Sequence, residues 1–63
     1  MPRTVELDLD VIAFTDKALY LTDGTYNDWT ARSLMEDDPG EVTAEDTVTI
    51  EIPEWVARDA GWV

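Results

Sequence analysis

The chain has no cysteine and no histidine, and only four basic residues, three glycines and three prolines in 63 positions. Each shortage removes a class of function. Without cysteine there is no disulfide framework, no thiolate nucleophile and no thiolate metal ligand, which suits a reducing compartment. With neither histidine nor cysteine, and with carboxylates that no pocket is expected to desolvate, acid/base and nucleophilic catalysis lack their usual groups. No glycine-rich loop is present to cradle a phosphate, so no catalytic residue and no cofactor is expected. The acids at Asp8 and Asp10, and at Glu36-Asp37-Asp38, lack the ordered ligand spacing and glycine of a calcium loop, so no metal site is expected either. No apolar run approaches the ~20 residues of a membrane span. Met1-Pro2-Arg3 opens into an alternating strand instead of a basic signal-peptide start. The expectation is a cytoplasmic protein with no membrane association.

The shortage of lysine and arginine stands against fifteen acids, a formal net charge of -11. That sign disfavours direct binding to nucleic acid. The acids are spread along the chain and interleaved with enough Leu, Ile, Val and Trp for a core, which separates it from a disordered acidic tail. One domain, 1–63, is expected, in a size range where only about 60% of the unfolded surface is buried.

Thr4 to Phe14, TVELDLDVIAF, is the clearest element. Val5, Leu7, Leu9 and Val11 fall on one side of an extended chain and Glu6, Asp8 and Asp10 on the other. Ala18 to Leu21 gives a second strand after the short polar Thr15-Asp16-Lys17. Asp23-Gly24 is a turn signal, and Thr25 to Thr30 gives a third strand. A two-residue Asp23-Gly24 loop would place Leu19 and Leu21 on one face and Trp29 on the other, leaving the largest apolar residue outside. A three-residue loop, Thr22-Asp23-Gly24 with a left-handed Gly24, pairs Leu21 with Thr25 and Tyr20 with Tyr26. It brings Leu19, Leu21 and Trp29 inward and gathers Tyr20, Tyr26 and Asp28 outside with Glu6, Asp8 and Asp10. The second register is the expectation, and a slip by one residue would exchange the faces.

Ala31 to Met35 reads as one helical turn folded back on the sheet, and residues 36–46 as an acidic loop around Pro39-Gly40. Thr47 to Ile52 alternates as a fourth strand that Pro53 ends. Pro53 to Ala60 reads as a short helix with Gly61 as its left-handed stop. At about eight residues it must dock on the sheet, through Trp55, Val56 and Trp62. Trp29 and Trp55 are assigned to the core, with Trp62 open between core and contact. The fold expected is α+β: a small four-stranded antiparallel β-meander, open or curled into an SH3-like barrel, with one short C-terminal helix.

Thr15-Asp16-Lys17-Ala18, Asp23-Gly24, Trp29 with Arg32-Ser33, and Ile52-Pro53-Glu54-Trp55-Val56-Ala57 with Gly61 together resemble a group of small proteins encoded by phages, prophages and plasmids. Ala31, where proline is common in that group, and the long acidic loop are departures. The resemblance implies a mobile-element origin and carries no catalytic residues. In size and charge alone the chain is also similar to phage counter-defence proteins, including anti-CRISPR proteins.

A row of carboxylates at alternate strand positions repeats every ~6.6 Å, close to the phosphate repeat of a nucleic-acid strand. Such a row can occupy a Lys/Arg groove that otherwise holds DNA. The candidate partner-binding residues are Glu6, Asp8, Asp10, Tyr20, Tyr26, Asp28, Glu36, Asp37 and Asp38. The partner expected is a basic protein surface on a host nucleic-acid-binding defence complex, with the chain acting as monomer or dimer. The plainer alternatives are a solvated acidic face, an aromatic pair that only stabilises its hairpin, and an accessory interaction module whose acidity serves solubility.

Overall fold

The structure, a computed structural model, describes residues 3–63. Strands β1 (Thr4–Phe14), β2 (Ala18–Thr22), β3 (Asn27–Ala31) and β4 (Thr47–Pro53) form one antiparallel sheet, and helix α1 (Glu54–Ala60) closes the chain. The expected α+β class holds. The strand order is β3-β2-β1-β4. The first three strands form the meander, while β4 returns across the molecule to lie beside β1, the spatial order of a Greek key. β3 and β4 are the two edges of an open sheet.

The alternation of β1 puts Leu9 and Val11 on a buried face, where Leu19, Leu21, Val48, Ile50 and Ile52 join them. This inner face is covered by Met35, Val42, Val56, Ala57, Ala60 and Trp62. A 3-10 turn, Arg32–Leu34, delivers Met35 to that layer. The amide of Glu36 then donates to the Glu51 carbonyl at 2.8 Å, so the chain leaving β3 crosses beneath the sheet to β4.

In α1, Val56, Ala57 and Ala60 are the buried positions. At 100° per residue Trp55 points away from that stripe, and it is 57% exposed. Trp29, the other tryptophan expected in the core, is 50% exposed, and Trp62 is the one buried, at 8%. Trp62 folds back so that its indole Nε1 donates to the Tyr26 carbonyl at 3.0 Å, and the left-handed Gly61 (φ +86°) makes the reversal. Pro53 ends β4 and stands just before the helix instead of inside its first turn.

The register between β2 and β3 differs from the one expected. Tyr20 pairs with Trp29, Leu21 with Asp28 and Thr22 with Asn27, leaving a four-residue connection, Asp23–Tyr26. The Asp23 carboxylate builds that connection by accepting from the amides of Thr25 and Tyr26, both at 2.8 Å, while the Thr22 hydroxyl accepts from Gly24 N–H. The core then receives Thr30, small and β-branched, in place of Trp29.

Candidate functional site

The sheet face opposite the core is uncovered, and its central feature is the acidic row of β1. Glu6, Asp8 and Asp10 are exposed on it, as the alternation predicts. The β4 register places Glu51, Thr49 and Thr47 directly opposite them. The Thr47 hydroxyl donates to Asp10 Oδ1 at 2.8 Å, and the Thr49 hydroxyl donates to Asp8 Oδ1. Thr4 donates to Glu51 Oε2 in the same way. The carboxylates of Asp8 and Asp10 are therefore fixed by neighbours across the strands. Glu6 and Glu51 place like charges face to face, an arrangement that costs stability.

Toward the β3 side the face becomes aromatic. Ala13, Tyr20 and Trp29 lie in one cross-strand line, with the Tyr20 and Trp29 ring centroids 5.0 Å apart and the planes tilted by 31°. The line is brought into place by a bulge between Val11 and Ala13, which reverses the inward and outward sense of β1 beyond that point. Asp10 pairs with Thr22, two residues along β2 from Tyr20. The acidic row and the aromatic pair are thus parts of one continuous surface.

Of the predicted site residues, Glu6, Asp8, Asp10 and Tyr20 are brought together. Tyr26 and Asp28 are not. Tyr26 belongs to the connection ahead of β3, with its ring beside Gly61. Asp28 lies opposite Leu21, on the other side of the strand from Tyr20, and its carboxylate accepts from the amide of Trp29. The physical cause in both cases is the longer, Asp23-capped connection.

Glu36, Asp37 and Asp38 are exposed in the loop beyond the core layer and do not join the outer face. Glu36 is tied by its backbone to β4. Asp38 serves its own loop: its Oδ1 accepts from Gly40 N–H at 2.8 Å and from the Arg32 guanidinium at 2.6 Å. The Gly40 amide first, and Arg32 after it, hold its carboxyl below the ordinary carboxylate range. Among the described residues, no group of three or more metal-capable side chains converges, and no helix is long and apolar enough to cross a membrane.

Trp29, Thr47, Thr49 and Glu51 are members of the face that sequence reasoning missed. The alternation of Thr47, Thr49 and Glu51 against Val48, Ile50 and Ile52 was a visible signal for β4's outward residues, but not for which strand they would meet. Three of the four basic residues are engaged away from the face, Arg3 and Arg58 with Glu54 and Arg32 with Asp38. The side chains placed on the face are chiefly carboxylates, hydroxyls and the aromatic pair of Tyr20 and Trp29. No protein-family model, curated protein or solved structure matches the chain.

Proposed function

We propose that the protein is a non-enzymatic inhibitor of mobile-element origin that docks its acidic sheet face on a basic, DNA-holding surface of a host defence complex, in the manner of DNA-mimicking anti-CRISPR proteins. Its place of action on this reading is the host cytoplasm. The observation that carries it is the threonine-held row of Asp8 and Asp10 on a bare sheet. Carboxylates at a strand spacing of ~6.6 Å, held in place before binding, meet a lysine- and arginine-lined groove with little side-chain ordering left to lose. They release the same counterions that phosphates would.

The test is retention of DNA-binding proteins from host extract on the immobilised chain at low salt. Expected are displacement by excess duplex DNA, steep loss with ionic strength, and loss in a Glu6→Lys, Asp8→Lys, Asp10→Lys variant that still folds. Retention indifferent to both DNA and the charge reversals would overturn the reading.

The exposed Tyr20–Trp29 pair favours a second reading, a phage accessory module that binds another protein through an aromatic centre. Tyr and Trp with a polar rim are the usual composition of such a centre. In that case Trp29→Ala weakens binding more than any charge change on β1.

A further inference from the structure

A cleft of about 720 Å³ lies between the end of β1 and the acidic loop, away from the outer sheet face. We propose that it seats an arginine or lysine side chain of a basic protein partner. Phe14, 49% exposed, and the buried Val42 supply its apolar lining. Phe14 reaches this end because of the β1 bulge, beyond which it pairs with Leu19.

Arg32, the one cation among the described lining residues, is not free to move into the space. The Arg32 Nη1 donates to Asp38 Oδ1 at 2.6 Å and to the Gly40 carbonyl at 2.7 Å. Asp38 Oδ1 also accepts from the Gly40 amide at 2.8 Å, so that oxygen serves the loop itself. Asp16 and Glu41 also line the cleft, and both are exposed with no side-chain hydrogen bond or ion pair among the described residues.

An occupant must therefore offer two things: an apolar stem for Phe14 and Val42, and a positive head for Asp16 and Glu41. Lysine and arginine side chains have that build, and a cation beside a phenylalanine ring is attracted by its quadrupole. An anionic ligand meets uncompensated carboxylates. A purely apolar one strips water from Asp16 and Glu41 without replacing it. The inference stands apart from the outer-face reading, because none of its residues belongs to that face.

The experiment titrates acetyl-Gly-Arg-Gly-amide into the isotope-labelled full chain and follows backbone amide shifts, with the lysine peptide and the uncharged citrulline peptide as parallel arms. Saturating shifts at residues 14–16 and 40–43 are expected at millimolar peptide, with affinity about tenfold or more weaker for citrulline. Those shifts disappear in Asp16→Asn/Glu41→Gln, a pair of exposed positions, and in Phe14→Ser. Equal binding of the citrulline peptide, shifts confined to Glu6–Asp10, or no shift at all would overturn the cleft proposal. None of these outcomes touches the capture test of the outer face, so the two readings fail separately.

Discussion

Thr30 is a buried side chain whose chemistry does not match its surroundings. It is 1% exposed, and its hydroxyl has no hydrogen-bond partner among the described residues. An unsatisfied buried hydroxyl costs about 1–3 kcal/mol, so Thr30→Val, nearly isosteric, is expected to raise stability by about 1 kcal/mol in chemical denaturation. Gly61 shows the opposite case. Its φ of +86° is unfavourable for any side chain, and a Cβ there would lie 3.1 Å from the Tyr26 ring. Gly61→Ala is expected to cost at least the ~1–2 kcal/mol of the left-handed conformation, and the same measurement reads it.

Asp23 gives a pH signature at this scale. The amides of Tyr26 and Thr25 depress its carboxyl below the ordinary value. A depressed carboxylate contributes stability that is complete above the unfolded pKa of about 3.9 and is lost as pH falls through the lower folded value. The melting-temperature gap between the parent chain and Asp23→Ala should stay constant from pH 7 to about 5 and shrink on further acidification. A gap that instead widens in acid would contradict the role given to this carboxylate.

At the scale of elements, the three tryptophans divide by how each strand or helix is set. The buried Trp62 closes the core, and Trp62→Ala is expected to cost about 3–5 kcal/mol. Trp29→Ala and Trp55→Ala remove rings that are half in solvent, and each should cost much less. Acrylamide should quench the emission of those two and spare Trp62. Equal quenching of all three would be inconsistent with the fold.

The element boundaries were largely legible, because β1, β2 and β4 alternate cleanly and Pro53 and Gly61 bracket the helix. So was the acidic row, which one strand's alternation settles by itself. Two things were not. The β2–β3 register depended on a side-chain cap by Asp23, which strand periodicity does not carry. The core tryptophan depended on a tertiary reversal at Gly61 that brings Trp62 under Tyr26. Reserving the core for Trp29 then fixed the wrong register, and Tyr26 and Asp28 followed it to the wrong side. The helix stripe of Val56, Ala57 and Ala60 did hold the information that Trp55 faces out.

For the whole molecule the dominant quantity is the net charge of -11. Three of its few cations are spent in ion pairs with Glu54 and Asp38, and Glu6 directly faces Glu51. Repulsion between exposed charges at these distances is screened within about 10 Å at 0.1 M salt. The melting temperature is therefore expected to rise with monovalent salt up to ~0.5 M. A flat response would mean that the acidic surface is already compensated.

The return of β4 to β1 also has a kinetic consequence. The side-chain ladder across these strands joins residues 37 to 47 positions apart, most of a 63-residue chain. A loop of that span must close before its contacts repay the lost entropy, and such topologies fold slowly for their size. The β1–β2–β3 meander needs no such closure and can form first. Docking of β4 is then the slow step, and it carries the carboxylates of residues 36–46 toward the already acidic β1 edge. Added salt should accelerate refolding more than it slows unfolding, so the barrier itself is expected to be electrostatic in part.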